Sequence, residues 1–206
     1  MMRVDPKPEP AVFENRVRRK GQRYLSRVPS PTTKQWTKHA YWTDVKFELY
    51  EAYHGICNFA CHWIPPDTGS ITVEHYRPKA KYPADAYEWV NYRLMCGTLN
   101  GRKCDYEDVL DPFEITNGMF VLDFPSLLVK PSKDLNAGLQ AQVKATIDRL
   151  KLNDEGTCIK ARARYVKYYC RREVDFAYLK IEAPFIAFEL ERQGLVAEIM
   201  AIMVYS

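Results

Sequence analysis

Two short β-type runs, I-T-V-E-H at 71–75 and Y-R-L-M-C at 92–96, lie close together in the chain, and a helix is expected to begin just after the second, near Leu99 or Asn100. β-Branched and aromatic side chains favour extended backbone, so each run predicts a strand, the first ending on His75. The connection holds Pro78 and Pro83 and is expected to be a loop. This order, strand, loop, strand, helix, is the tightest constraint in the sequence. With helical patterning before and after it, the expected fold class is α+β, a small ββα unit set in a mostly helical shell.

Upstream, Val45, Leu49 and Tyr53 recur at four-residue spacing, which predicts a helix over 43–53 capped by Thr43 and ended by Gly55. Downstream, F-V-L-D-F at 120–124 follows the turn pair Asn117-Gly118 and predicts a further strand. From Leu135 the period becomes helical. Leu139, Val143, Ile147 and Leu150 share one face, Ile159, Ala163, Val166 and Cys170 form a second helix after Asp154, and a third starts near Pro184 and buries residues from Phe185 to Met203. The expected division is a basic arm over 1–40, a core over 41–130 and a helical region over 131–206.

The 206-residue chain, 47% hydrophobic, is long enough to bury one good core. Its net charge of +4 is unevenly spread: residues 1–40 hold ten Lys or Arg and three acids, so that stretch is +7 and the remainder −3. Prolines 6, 8 and 10 disfavour helix at the start, which predicts an extended or mobile segment. Arg16, Arg18, Arg19 and Arg23, interleaved with Tyr24, suit a nucleic-acid backbone, since guanidinium groups contact phosphate and rings stack on bases. A solvated charged tail is the plainer reading of such a run. No apolar stretch suggests a membrane span or a secretory leader, so a cytoplasmic location is expected. Six dispersed cysteines do not suggest a disulfide scaffold.

Glu74, His75, Asn100 and Lys103 are the chemistry-bearing residues of the 71–103 segment. A neutral imidazole can take a proton from water near pH 7, and His75 alone of four histidines sits in a motif. The Glu74 carboxylate and the Asn100 side-chain carbonyl are hard oxygen donors suited to Mg²⁺ or Mn²⁺. Neighbours in a regular strand point to opposite faces, so Glu74 and His75 can share a site only where the strand ends. Arg77, Lys79, Arg93 and Arg102 add positive charge nearby. A lone histidine at a strand end is more often structural, and a lone Asn-x-x-Lys is background. The inference rests on their joint order.

The segment T-V-E-H-Y-R-P-K, W-V-N-Y-R-L and L-N-G-R-K resembles the HNH endonuclease family, whose core is a ββα-metal fold. The resemblance implies that His75 is the general base, Asn91 orients it, Glu74 and Asn100 hold one metal ion, and Lys103 contacts phosphate. It implies metal-dependent hydrolysis of DNA. An RNase acting on a substrate such as transfer RNA, or a non-catalytic nucleic-acid-binding subunit, are the alternatives. Family members also hold a structural zinc between two Cys-x-x-Cys pairs. Here the first pair is spaced as Cys57 and Cys61, and Leu99 stands where the partner of Cys96 would be, so this degenerate zinc site is disfavoured. The wider pattern, C-H-W-I-P-P-D-T-G-S and V-L-D-P-F-E-I, resembles a bacterial subgroup that includes the HNH component of Septu-type antiphage systems, which pairs with an ATPase. An ATPase partner and a gated activity are therefore expected.

Overall fold

In a computed structural model, residues 1–203 are described, and they fall into two compact units. The N-terminal unit comprises residues 4–58 and 64–107, and the C-terminal unit comprises 1–3, 59–63 and the chain from 108 on. Both mix helices with a small antiparallel sheet, so the fold is α+β. Among the described residues no helix is long and apolar enough to cross a membrane.

The N-terminal unit opens with an extended stretch that is pinned down: Trp89 Nε1 donates to the Lys7 carbonyl at 2.8 Å, and the Lys7 amide donates to the Tyr53 hydroxyl at 3.2 Å. Helices α1 (Arg19–Leu25) and α2 (Thr33–Lys38) follow, the first continuing a π-helical turn over Glu14–Arg18. The segment expected to form a basic arm thus folds into this unit. Its buried Phe13 meets Trp89 and Tyr92 edge-on at 5.6 Å, and Val17 is fully enclosed. Helix α3 (Lys46–Ala52) starts later than the apolar spacing suggests. The Thr43 hydroxyl bonds back to the Ala40 carbonyl at 2.7 Å, and Tyr41–Val45 form a 3₁₀ turn instead. His54 and Gly55 take left-handed conformations (φ 51° and 72°) that end α3, with the Gly55 amide reaching the Tyr50 carbonyl.

Strands β1 (Ile71–His75) and β2 (Tyr92–Cys96) pair antiparallel with Glu74 opposite Arg93 and His75 opposite Tyr92. Helix α4 (Gly97–Lys103) follows β2 without a loop and packs on both strands. Gly97 permits this abrupt turn, because a Cβ there would stand 2.5 Å from Ser70 Oγ.

In the C-terminal unit, β3 (Phe120–Asp123) and β4 (Leu128–Pro131) form a second hairpin. The turn before β3 uses Gly118 at φ 90°. Helix α5 (Ala137–Leu150) is capped by Asn136, whose side chain accepts from the Leu139 amide at 2.9 Å. It buries Val143, Ile147 and Leu150. Helix α6 (Lys160–Cys170) is pinned by buried Arg162, which donates to the carbonyls of Leu127 and Leu152, and by Val166. Helices α7 (Phe176–Glu182), α8 (Pro184–Arg192) and α9 (Ile199–Ile202) complete the unit. The wholly buried Glu189 ties α8 to β3: its carboxylate accepts from the Leu122 amide, Arg192 and Gln193.

Candidate active site

A cleft of about 530 Å³ runs along β1 in the N-terminal unit. All five β1 residues line it, together with Trp42, Lys46, Lys79, Asn100 and Asp105. β1 belongs to a two-stranded sheet and pairs only with β2 among the described residues, so its other edge is open. Side chains from both faces of an edge strand can border one groove. This is why Glu74 and His75, neighbours of opposite facing, both reach the cleft, and the strand also ends at His75.

The imidazole of His75 is almost enclosed, 5% exposed, with Trp42 and Tyr92 packed edge-on at 4.6 and 5.2 Å. Its Nε2 lies 2.9 Å from the Ala86 carbonyl. A carbonyl can only accept, so Nε2 carries the proton and the lone pair sits on Nδ1, which has no hydrogen bond among the described residues. Burial, reinforced by Lys79, lowers the imidazole pKa to about 3. It is neutral at pH 7.

Asn91 does not act on His75 by direct contact. Its side chain accepts from the Arg77 amide at 2.7 Å and donates to the Arg77 and Asp85 carbonyls at 3.0 and 3.1 Å. It therefore clasps the two ends of the 77–85 loop and fixes the segment that presents the Ala86 carbonyl to His75. That carbonyl, which also accepts from the Tyr92 hydroxyl at 2.9 Å, is the immediate orienting group, and no side-chain motif could announce it.

On the other face of β1, α4 is matched to the strand by two contacts one helical turn apart. Asn100 Nδ2 donates to Thr72 Oγ1 at 2.8 Å, and Lys103 Nζ donates to Glu74 Oε1 at 2.6 Å. Lys103 is wholly buried and also meets the His75 and Tyr76 carbonyls at 3.4 and 3.0 Å. The expectation that its ammonium meets phosphate needs correction, because a sealed lysine bonded to a carboxylate and two carbonyls positions Glu74 instead. Burial raises the Glu74 carboxyl to about 7, against the opposing pull of Lys103 and Lys79.

Lys103 engages one oxygen of Glu74, and the residue still borders the cleft, as does Asn100, whose Oδ1 is not used in its bond to Thr72. These two oxygen donors fit a hard divalent ion of the Mg²⁺ type, which is commonly held by one or two protein oxygens with water and substrate phosphate completing the shell. The zinc alternative fares differently. Cys57 and Cys96 are neighbours, the Cys96 amide lying 3.5 Å from Cys57 Sγ; a separate hydrogen bond between the two side chains, opposed by burial, lowers the Cys96 thiol to about 7. Among the described residues, however, no group of three or more His, Cys, Asp or Glu could hold a metal ion. Cys61 belongs to the other unit.

The basic residues divide sharply. Lys79 lines the cleft, its ammonium 5.5 Å over the Trp42 ring. Lys46, which the motif did not single out, lines it too. Arg77 pairs with Asp85 at 2.7 Å and stacks over Tyr82. Arg93 is buried and donates to the Val90 and Tyr92 carbonyls, so it is a structural cation and not a cleft residue. Arg102 is half-buried on α4 and does not line the cleft. Of the N-terminal arginines, Arg16 pairs with Glu48 at 2.6 Å, Arg18 with Glu9, Glu14 and Glu88, and Arg19 with Glu14 at 3.8 Å. Arg23 is exposed on α1.

No family model matches the chain. It is similar to a Septu protein. That relative is PtuB of Bacillus thuringiensis, 28% identical over 109 residues, which make up 53% of this chain and 41% of the relative. The chain thus covers less than half the length of the protein it matches.

Proposed function

We propose that the chain is an HNH-type, metal-dependent endonuclease that hydrolyses phosphodiester bonds in DNA and serves antiphage defence. The observation that carries the reading is the set imidazole of His75: a neutral ring, its proton fixed on Nε2 by a backbone carbonyl, beside oxygen donors and lysines in one cleft. Similarity to a Septu protein supports the defence role.

In this mechanism His75 Nδ1 accepts a proton from the attacking water. Low basicity in the free protein keeps the ring in its accepting form, and the negative charge of a bound phosphate raises that basicity when substrate arrives. Asn91 and the Ala86 carbonyl hold the ring's orientation, Trp42 and Tyr92 limit its rotation, and Lys79 and Lys46 attract the phosphodiester. Glu74 and Asn100 would hold Mg²⁺ or Mn²⁺, which when bound supplies charge neutralisation at the phosphoryl and leaving oxygens. Lys103 keeps the Glu74 carboxylate aimed. A free nuclease endangers its host, so the activity is proposed to be gated by a partner protein, an ATPase in the Septu arrangement.

The test is incubation of the purified chain with plasmid DNA and with total RNA, each with Mg²⁺ or Mn²⁺ and with chelator, beside His75→Ala. The expected result is metal-dependent nicking of DNA, reduced at least about 100-fold in the variant. Cutting of RNA alone would transfer the reading to an RNase. Cutting that persists in His75→Ala would remove the histidine from the mechanism.

A further inference from the structure

Between Lys160 and Arg172 the sequence reads K-A-R-A-R-Y-V-K-Y-Y-C-R-R, with six cations and no acid. Helix α6 sorts these residues onto two sides. Arg162 and Val166 are buried and Tyr169 donates to the Val196 carbonyl, so the 162–166–169 side is the anchored one. Lys160, Arg164, Lys167 and Tyr168 fall on the other side at helical spacing and line one open depression of about 680 Å³. Arg171 continues the row and is exposed, although it lies 4.0 Å from Glu173.

Many basic groups of the chain are paired with carboxylates, and among the described residues those lining this depression are not. Lys144, Arg149 and Lys180 in the same unit pair with Asp148, Asp108 and Glu191. In the N-terminal unit Arg16, Arg18 and Lys20 pair with carboxylates as well. Among the described residues Lys160, Arg164 and Lys167 have no acid within ion-pair distance, and the Arg164 guanidinium lies 5.7 Å from the Tyr168 ring centre. Three like charges on one helix face repel one another, which is a standing cost unless an anion neutralises them. From Lys160 to Arg171 the row extends about 16 Å at the rise of an α-helix. A polyanion with charges at regular short intervals fits such a row, and an aromatic ring among the cations suits a nucleotide better than a carboxylate peptide.

We infer that the exposed face of α6 is a second nucleic-acid-binding surface, which grips the phosphate backbone without reading sequence through Lys160, Arg164 and Lys167, with Tyr168 against sugar or base. The surface adds affinity and does not depend on the hydrolysis proposed for the His75 cleft. It also adds to the basic contact that composition assigned to the N-terminal arm, where Arg16, Arg18 and Arg19 are paired with Glu9, Glu14, Glu48 and Glu88.

The experiment uses the full chain carrying His75→Ala, in chelator, so that binding is read without cleavage. Fluorescence anisotropy with a labelled DNA duplex of arbitrary sequence, and separately with an RNA hairpin, is followed across a KCl series. The triple change Lys160→Gln, Arg164→Gln, Lys167→Gln is expected to weaken binding about tenfold or more near 0.1 M salt and to flatten the log–log salt slope by about 2 to 3, at roughly 0.9 for each phosphate no longer neutralised. The arm that responds more strongly names the nucleic acid. A control with Lys160→Arg and Lys167→Arg keeps the charge and should bind like the parent. If the triple variant melts early, Arg164→Gln alone decides the matter, with a slope change of about 1 expected. Unchanged affinity and slope on both nucleic acids would overturn the proposal, and the face would then be open to an acidic protein.

Discussion

Among single residues, Lys103 shows most plainly how type and spacing can mislead. A lysine three positions after an asparagine reads as a phosphate contact, yet its side chain is sealed under the cleft and bonded to Glu74. Removing one member of a buried ion pair strands the other, at a typical cost of about 3–5 kcal/mol. Lys103→Met is therefore expected to lower unfolding stability by that order in urea titration. Glu74→Gln combined with Lys103→Met should recover a substantial part, because no buried charge is then left alone. A phosphate-binding role would show the contrary pattern, with stability kept and substrate affinity reduced. Asn91 and Ala86 make the complementary point. The asparagine is legible as an orienting residue from the resemblance, but its route to His75 passes through backbone carbonyls of a folded loop. Backbone groups are the same in every residue, so only three-dimensional structure can reveal which one faces the histidine.

For the elements, close approach matters more than propensity. Gly21 in α1 lies against Tyr87, and a Cβ at that position would stand 2.1 Å from Tyr87 Cγ. In an exposed helix Gly→Ala would stabilise by up to about 1 kcal/mol. Here the ring is held by its hydroxyl bond to the His39 carbonyl and by the neighbouring rings of Trp36, Tyr41 and Trp42, so it has little room to yield. Gly21→Ala is expected to destabilise by about 1–3 kcal/mol, a reversal of sign that thermal melting would detect. The strands 71–75 and 92–96 are readable because β-branched and aromatic residues cluster there between loop signals. Leu128–Pro131 is not readable in the same way: four residues ending in proline carry almost no pattern, and the element exists because Phe120–Asp123 pairs with it. Helix α7 is hidden for a related reason. Only Leu179 of its residues is fully buried, while Tyr178 and Ile181 are exposed, which leaves no apolar face to detect. The start of α3 is displaced because Thr43 bonds backwards, a choice between two local partners that spacing alone leaves open.

For the molecule as a whole, the burial of histidine ties stability to pH. His62, against Tyr165 in the C-terminal unit, has a buried Nε2 with no hydrogen bond among the described residues, and burial together with Arg162 lowers its pKa to about 3 from an ordinary 6.5. The unfolded chain therefore binds the proton first. This contribution to stability is complete above about pH 6.5 and declines as the pH falls toward about 3, by at most about 1.4 kcal/mol per pH unit. Urea unfolding between about pH 4 and 6.5 should show the decline, to which His75, lowered in the same way, also contributes, and His62→Gln should make it shallower by the His62 share. The net charge has a whole-molecule lesson of its own: the +7 of residues 1–40 is visible in the sequence, but whether a cation is spent on a neighbour depends on distant acids such as Glu48 and Glu88. The path of the chain carries one more consequence. Residues 59–63 belong to the C-terminal unit although residues on both sides of them belong to the other, and the Trp63 amide is bonded to the Glu182 carbonyl. A stop codon at 108 would leave the Trp63 amide without its Glu182 partner. No single breakpoint in the gene separates the two units, so one crossover cannot exchange either of them intact.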